Sequence, residues 1–175
     1  MTIEEIYGWF TFAAIYDAAI ERAGDGAVFV EVGCWHGRSL AYLGSKVKES
    51  GKAIDVIGVD HGRGSEEHQG NMPEGRNIIA TLISNLQKTE LLDRVSVIVA
   101  DSVRASRLFA DGSVDFCFID ASHDEASVTA DLRAWWPKVK QGGELAGHDY
   151  PAYPGVVKAV ESFFGRSPLS VLVGD

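Results

Sequence analysis

Residues 27–37 read Ala-Val-Phe-Val-Glu-Val-Gly-Cys-Trp-His-Gly, an apolar run that ends in a turn between two glycines. The run at 27–32 is short and rich in β-branched residues, which is typical of a buried strand in a parallel sheet. After the turn at 33–37, apolar residues recur at helical spacing until Gly51. A buried strand, a glycine turn and a helix together predict the first unit of an α/β fold.

The same alternation of strand and helix continues along the chain. Apolar runs predict five further strands, at residues 56–59, 95–100, 114–119, 144–147 and 169–173. Helical periodicity predicts helices around residues 12–19, 78–86, 102–108, 122–139 and 156–164. We therefore expect one domain over residues 1–175, with a doubly wound, mostly parallel sheet and helices on both faces.

Two local patterns refine the second half of the chain. Ser122 and Glu125 are three residues apart, which predicts a capping box at the start of the helix over 122–139. The apolar face predicted for that helix consists of Val128, Leu132, Trp135 and Trp136. A turn at Gly142 and Gly143 is expected to precede the fifth strand.

Charge and composition exclude several classes of protein. The 175 residues include 16 Lys and Arg against 25 Asp and Glu, for a net charge of −9. Such a chain is repelled by phosphate backbones and by anionic membranes, so we expect no nucleic-acid or membrane partner. Cys34 and Cys117 lie in apolar runs and form no disulfide or zinc pattern. No signal peptide is visible, so a cytoplasmic location is expected.

Acidic residues follow the predicted strands at the edge where ligands bind in such folds. These residues are Asp60, Asp101, Asp120 and Asp149. Gly33 and Gly37 allow close approach of a ligand to the backbone, and the helix start behind them favours a negative group. An ordinary strand–helix turn, with Asp60 as a local cap, is the alternative. The dinucleotide pattern G-x-G-x-x-G is absent, which counts against NAD.

Five motifs in order extend this pattern over nearly the whole chain, from about residue 6 to residue 173. They are EVGCWHGRS, VIGVD, VADS, FCFIDASHD and KQGGELAGHDY. Together they resemble the class I S-adenosylmethionine-dependent methyltransferases. The most similar group contains antibiotic-sugar O-methyltransferases and cephalosporin-hydroxylase-like proteins.

The resemblance implies a Rossmann-like fold and a cofactor site. Glu31 would lie near the amino group of S-adenosylmethionine, Asp60 at the ribose, and Asp101 with Ser102 beside the adenine. The full set of implied cofactor contacts is Glu31, Gly33, Gly37, Ser39, Asp60, Asp101, Ser102 and Asp120.

The resemblance also implies catalytic and metal positions. Asp120 and Asp149 fall where metal-dependent relatives hold magnesium, and His148 is a further candidate ligand. His123 falls where sugar O-methyltransferases place a general base, with Asp120 beside it. Simpler interpretations remain for each: His123 or Asp120 as a helix cap, and His148 as a substrate contact or core residue.

The expected function is O-methylation of a sugar or another vicinal diol, on a small molecule or a glycan, with a divalent metal assisting. Two other functions are considered: a non-catalytic S-adenosylmethionine-binding or assembly domain, and a metal-dependent hydrolase or hydroxylase. The chain ends before the final antiparallel strand of the family, so a truncated chain or a homo-oligomer is considered. Only residues 61–76 and 149–155 are expected to cover the site, which predicts an open pocket.

Overall fold

A computed structural model describes residues 1–65 and 77–165. Within these ranges the chain forms five β-strands and six α-helices. The strands are β1 (Ala27–Val32), β2 (Ile54–Asp60), β3 (Val95–Val99), β4 (Val114–Ile119) and β5 (Val139–Gly147). The helices are α1 (Ala13–Arg22), α2 (Arg38–Ser50), α3 (Ile78–Lys88), α4 (Ser102–Ala105), α5 (Glu125–Trp135) and α6 (Pro154–Phe164). The predicted strand at 169–173 lies outside the described residues.

The five strands form one parallel sheet in the order β3-β2-β1-β4-β5. Ala27 of β1 lies opposite Ile54 of β2, and Phe29 of β1 lies opposite Phe116 of β4. The chain leaves β1 toward β2 on one side and returns to β4 on the other. The loops that follow β1 and β4 therefore diverge and open a crevice at the carboxyl end of the sheet.

Helices cover both faces of the sheet, as the doubly wound fold predicts. On β4, Phe116 and Phe118 pack in a core with α1, α2 and α3. Cys117, between them, packs on the opposite face with residues of α4, α5 and α6. The side chains alternate because successive residues of a strand point to opposite faces. Both cysteines are buried free thiols, and burial raises the pKa of each.

The start of α5 differs from the prediction. The helix begins at Glu125, and Asp124 rather than Ser122 is its N-cap, since the Asp124 carboxylate accepts a hydrogen bond of 2.9 Å from the Ser127 amide. The predicted capping box at Ser122 is therefore wrong. Asp124 and Ser122 are both good caps in isolation, so residue type alone does not distinguish them.

The end of α5 also differs from the prediction. The helix gives way to a short 3₁₀ turn over Trp136–Lys138, where Pro137 has no amide hydrogen to continue the helical bonding. Trp135 is fully buried, whereas Trp136 is 47% exposed and meets Phe164 edge to face. The expectation that Trp136 belongs to the core is therefore wrong.

Strand β5 is longer than predicted. It begins at Val139, so Gly142 and Gly143 lie inside it rather than in a preceding turn. Val114 of β4 pairs with Val139, but Phe116, only two residues later, pairs with Glu144. The extra residues form a bulge, and Gly142 takes a left-handed conformation there, with φ of 81°.

One further observation concerns membranes. No helix in the part of the chain that the structure describes is long and apolar enough to cross one.

Candidate active site

A cavity of about 390 Å³ lies at the carboxyl end of the sheet, at the crevice between β1 and β4. Most of the residues predicted from the sequence contribute to its wall. They are Gly33, Ser39, Asp60, Ser102, Asp120, His123, His148 and Asp149. Loops that follow β1, β2, β4 and β5 thus meet at one site, as the parallel topology requires.

The turn after β1 is held tightly between the ends of β2 and β4. The Gly33 amide donates to the Val59 carbonyl at 2.9 Å, and the Asp120 amide donates to the Val32 carbonyl at 2.8 Å. Gly33 has a φ of +88°, and a β-carbon there would overlap the Asp120 carbonyl oxygen. Only glycine fits, because the two backbones approach too closely for a side chain.

Asp60 joins this turn to the loop after β2. One of its carboxylate oxygens accepts hydrogen bonds from the amides of Cys34 and Trp35, at 2.9 and 3.0 Å. The other accepts from the Gly62 amide at 2.6 Å. A carboxylate has about four acceptor positions, so Asp60 braces the wall and keeps capacity for a ligand hydroxyl.

Glu31 lies behind the cavity wall rather than in it. It is 1% exposed, and its two oxygens accept from the Ser39 hydroxyl at 2.6 Å and the Tyr16 hydroxyl at 2.8 Å. Burial raises the pKa of Glu31 to about 8, and the two hydrogen bonds offset only part of that effect. Tyr16 of α1, which no sequence motif singles out, is therefore a polar partner of the site.

The buried Glu31 carboxyl gives a testable pH dependence of stability. Its folded pKa of about 8 exceeds the ordinary 4.5, so the folded state binds this proton more tightly and stability falls as pH rises through this interval. Between pH 6 and pH 8, we expect the unaltered protein to lose about 2 kcal/mol more stability than the Glu31→Gln variant. Urea unfolding of both ligand-free proteins at the two pH values measures this difference.

The matched control for this experiment is Glu21→Gln, because Glu21 is exposed on α1. The Glu21 variant should keep the pH dependence of the unaltered protein. Equal pH dependence in the Glu31 variant and the unaltered protein would contradict the raised pKa.

Two histidines converge on the Asp149 carboxylate. His123 Nε2 lies 2.7 Å from Asp149 Oδ2, and His148 Nδ1 lies 3.1 Å from Asp149 Oδ1. Asp149 has a φ of +68°, a left-handed conformation that is uncommon outside glycine. Such backbone strain concentrates at functional sites. The His123 ring lies against the Tyr153 ring, with centroids 4.0 Å apart.

The pKa values of the two carboxylates in this cluster are shifted in opposite directions. Burial raises the pKa of Asp120 to about 6, although the neighbouring His148 opposes the shift. Burial also acts to raise the pKa of Asp149, but hydrogen bonds from His123 and His148 outweigh it and hold that pKa well below its usual range. The hydrogen bond to Asp149 raises the pKa of His148. Of the two carboxylates, Asp149 is therefore the one whose charged form is favoured.

The geometry favours His123 over His148 as a nitrogen ligand for a metal. Ligand atoms of Asp120, His123 and Asp149 all lie within 4.8 Å of one another. His148 instead has Nε2 3.1 Å from the Thr11 hydroxyl and Nδ1 directed at Asp149. His148 as a metal ligand stays a prediction: its Nδ1 also lies 3.7 Å from Asp120 Oδ1, while the ring links the N-terminal segment to Asp149.

Two more predicted cofactor contacts lie outside the cavity wall. Asp101 caps α4, accepting from the Arg104 amide at 3.1 Å, and is exposed. Gly37 is the N-cap of α2, with a φ of +84°, and lies against the Leu82 side chain. Ser102, by contrast, lines the cavity, and its hydroxyl accepts a hydrogen bond of 2.8 Å from the Trp135 indole.

A family model described as a methyltransferase domain matches residues 30–150, more than half of the chain. The chain belongs to this methyltransferase family. The matched range contains all five strands except the first residues of β1, and it includes the whole Asp120, His123 and Asp149 cluster.

Solved structures share the fold of this methyltransferase domain. Calicheamicin methyltransferase CalS11 has 20% sequence identity and a TM-score of 0.67, with 93% of this chain and 75% of that chain covered. The O-methyltransferase NovP has 18% identity and a TM-score of 0.65, with 87% of this chain and 70% of NovP covered. A SAM-dependent O-methyltransferase from Thermotoga maritima has 18% identity and a TM-score of 0.60, with 89% of this chain and 51% of that protein covered. This chain therefore spans about half the length of the Thermotoga protein.

One part of the cavity wall in this methyltransferase domain was not predicted from the sequence. Tyr7, Trp9 and Thr11, all before α1, contribute to the wall. The expectation that only residues 61–76 and 149–155 cover the site is therefore wrong; residues 66–76 lie outside the described ranges. The sequence feature that could have indicated this wall is the pair of aromatic residues on either side of Gly8, in a segment without helical periodicity.

Proposed function

We propose that this chain transfers a methyl group from S-adenosylmethionine to a hydroxyl of a sugar or another vicinal diol. One observation carries the proposal: the Asp120, His123 and Asp149 cluster shares a cavity with the glycine turn and Asp60. A binding wall of the type that holds a nucleoside thus faces a set of groups suited to taking a proton from a hydroxyl.

Two features of the cavity support this cofactor assignment. Its volume falls within the range of about 300–1,000 Å³ that is usual for small-molecule sites. Asp60 keeps acceptor capacity for ribose hydroxyls, and the Ser102 oxygen lies elsewhere on the same wall. When bound, S-adenosylmethionine supplies an electrophilic methyl group on a positively charged sulfur.

The residues of this chain then position the acceptor and move its proton. The Asp149 carboxylate accepts a hydrogen bond from His123 Nε2. A neutral His123 with its proton on Nε2 has its basic lone pair on Nδ1. Asp149 also stabilises the imidazolium that forms when His123 takes the hydroxyl proton. Contact with Tyr153 holds the imidazole ring in place. Orientation of acceptor and donor contributes much of the rate in such a displacement.

A divalent cation fits the same cluster. Asp120, Asp149 and His123 would hold it, two oxygen ligands and one nitrogen ligand, and magnesium prefers oxygen. A cation there would lower the pKa of a coordinated hydroxyl. His123 serves in both arrangements, as the proton acceptor in one and as a metal ligand in the other.

The sugar acceptor draws support from one structural relative. CalS11 is described as a TDP-rhamnose 3'-O-methyltransferase, and the fold of this chain matches its apo structure with a TM-score of 0.62 over 93% of this chain. A non-catalytic binding domain would not need a charged Asp149 between two histidines. A metal-dependent hydrolase would not need the brace that Asp60 makes with the glycine turn.

Calorimetric titration with S-adenosylhomocysteine, the product of methyl transfer, tests the cofactor assignment. We expect micromolar binding, none for NAD, and about 10- to 100-fold weaker binding by Asp60→Asn because charge-assisted hydrogen bonds are lost. Asp55→Asn is the matched control, since Asp55 is exposed near the opposite end of β2. Absence of S-adenosylhomocysteine binding by the unaltered chain would contradict the proposal.

A further inference from the structure

Two large aromatic side chains are exposed at the mouth of the cavity. Tyr7 is 63% exposed and Trp9 is 62% exposed, yet both line the same cavity as Asp120 and His123. Exposed tryptophan is costly in water, and clustered exposed aromatic residues mark binding surfaces. Both residues precede the range that the methyltransferase family model matches.

The segment that carries these rings is fixed at two points. The Gly8 carbonyl, between the two aromatic residues, accepts a hydrogen bond of 2.8 Å from Arg38 on α2. The Thr11 hydroxyl lies 3.1 Å from His148 Nε2, on the loop after β5. The segment is therefore held between the start of α2 and the loop after β5, and its rings are presented in a defined place.

The rings also support one another. Tyr7 and Trp9 meet at an angle of 63° with centroids 5.8 Å apart, and Tyr7 lies 5.8 Å from the buried ring of His36. His36 in turn stacks on Trp35 at 4.7 Å. This series of rings forms one wall of the cavity, and the Asp120, His123 and Asp149 cluster belongs to the loops after β4 and β5.

We propose that Tyr7 and Trp9 form an acceptor subsite that binds the apolar face of a sugar ring. The inference rests on the proposed function and names the part of the chain that selects the acceptor. The face of an aromatic ring is electron-rich and attracts the polarised C–H bonds that a pyranose presents on one side. The hydroxyls on the rim of the sugar would then be available to the carboxylates and histidines.

The geometry favours a sugar over a flat aromatic acceptor. Tyr7 and Trp9 meet near edge to face, so they form a corner rather than two parallel faces that could hold a planar ring between them. A puckered ring with C–H bonds on one side fits a corner. The polar groups that share the cavity, including Arg38, His61 and Asp149, suit a ligand with several hydroxyls.

The test uses protein saturated with S-adenosylhomocysteine and three probes, followed by NMR titration. The probes are a set of methyl pyranosides (mannose, rhamnose and glucose), catechol as a flat aromatic diol, and glycerol as an acyclic diol. We expect at least one methyl pyranoside to bind and Trp9→Ala to weaken that binding about five- to tenfold. Tyr7→Ala should have an effect of the same direction, and Trp9→Phe should retain most of the affinity.

Trp136→Ala is the matched control, because Trp136 is 47% exposed and lies outside the cavity wall. It should bind the pyranoside as the unaltered protein does. Trp136→Ala should also bind S-adenosylhomocysteine as the unaltered protein does.

Each contrary result is distinct. Equal pyranoside binding by Trp9→Ala and the unaltered protein would overturn the subsite. Binding of catechol without any pyranoside, or of no probe at all, would overturn the sugar class. Failure to bind S-adenosylhomocysteine would instead refute the proposed function. Titration of the ligand-free protein with the pyranosides would then still test whether Trp9 contributes to sugar binding.

Discussion

Replacement of Gly33 by alanine is expected to lower the free energy of unfolding by about 3–5 kcal/mol, the largest loss of stability that we predict. Two costs combine at this position. The φ of +88° lies in the left-handed region that disfavours any side chain. The added methyl group would also overlap the Asp120 carbonyl oxygen, which belongs to rigid backbone at the end of β4.

Gly51→Ala separates these costs. Gly51 has a similar φ of +71°, but no atom lies within 4 Å of the position that a β-carbon would take. We expect its loss to be only about 1 kcal/mol, from backbone strain alone. Urea unfolding of both variants measures the difference, and equal losses would show that β1 and β4 do not approach as closely as described.

Loss of the His123 side chain is expected to have the largest effect on activity. If His123 takes the acceptor proton, His123→Ala should lower kcat by about 10²- to 10⁴-fold, the usual contribution of a general base. Affinity for S-adenosylhomocysteine should change little, because Asp60 and the glycine turn, which are proposed to hold the cofactor, belong to the loops after β1 and β2. Turnover of a bound acceptor and calorimetric titration together measure the two quantities.

His61→Ala is the control for that experiment. His61 also lines the cavity, but its Nδ1 accepts from the Arg63 amide in the loop after β2. Its removal should reduce kcat far less than removal of His123. If His123→Ala retains turnover, the proton acceptor is another group, and the hydrogen bond from His123 to Asp149 has a structural role.

The strands could be predicted because their signal is local. Residues 27–32 and 114–119 are apolar runs bounded by polar or glycine residues, and the structure assigns strands with these bounds. Acidic residues after such runs must gather at one edge of a parallel sheet. The convergence of Asp60, Asp120 and Asp149 on one cavity therefore follows from topology alone.

Features that depend on contacts between distant residues could not be predicted. Glu31 and Tyr16 are separated by the whole loop between α1 and β1, and nothing in either segment indicates a hydrogen bond between them. The bulge in β5 arises from pairing with β4, so Gly142 and Gly143 resemble an ordinary turn in the sequence. Whether Trp9 is buried or exposed depends on where Arg38 and His148 hold its segment.

The packing of α1 has a practical consequence for anyone who trims this protein. A fragment cut to residues 30–150, the range of the family match, would lose Tyr16 and Phe12, which pack on Phe118 with ring centroids 5.1 and 4.4 Å away. It would also strip a hydroxyl partner from the buried Glu31 carboxyl. We expect such a fragment to expose an aromatic face and to aggregate on expression, so deletion studies of this protein should keep its first thirty residues.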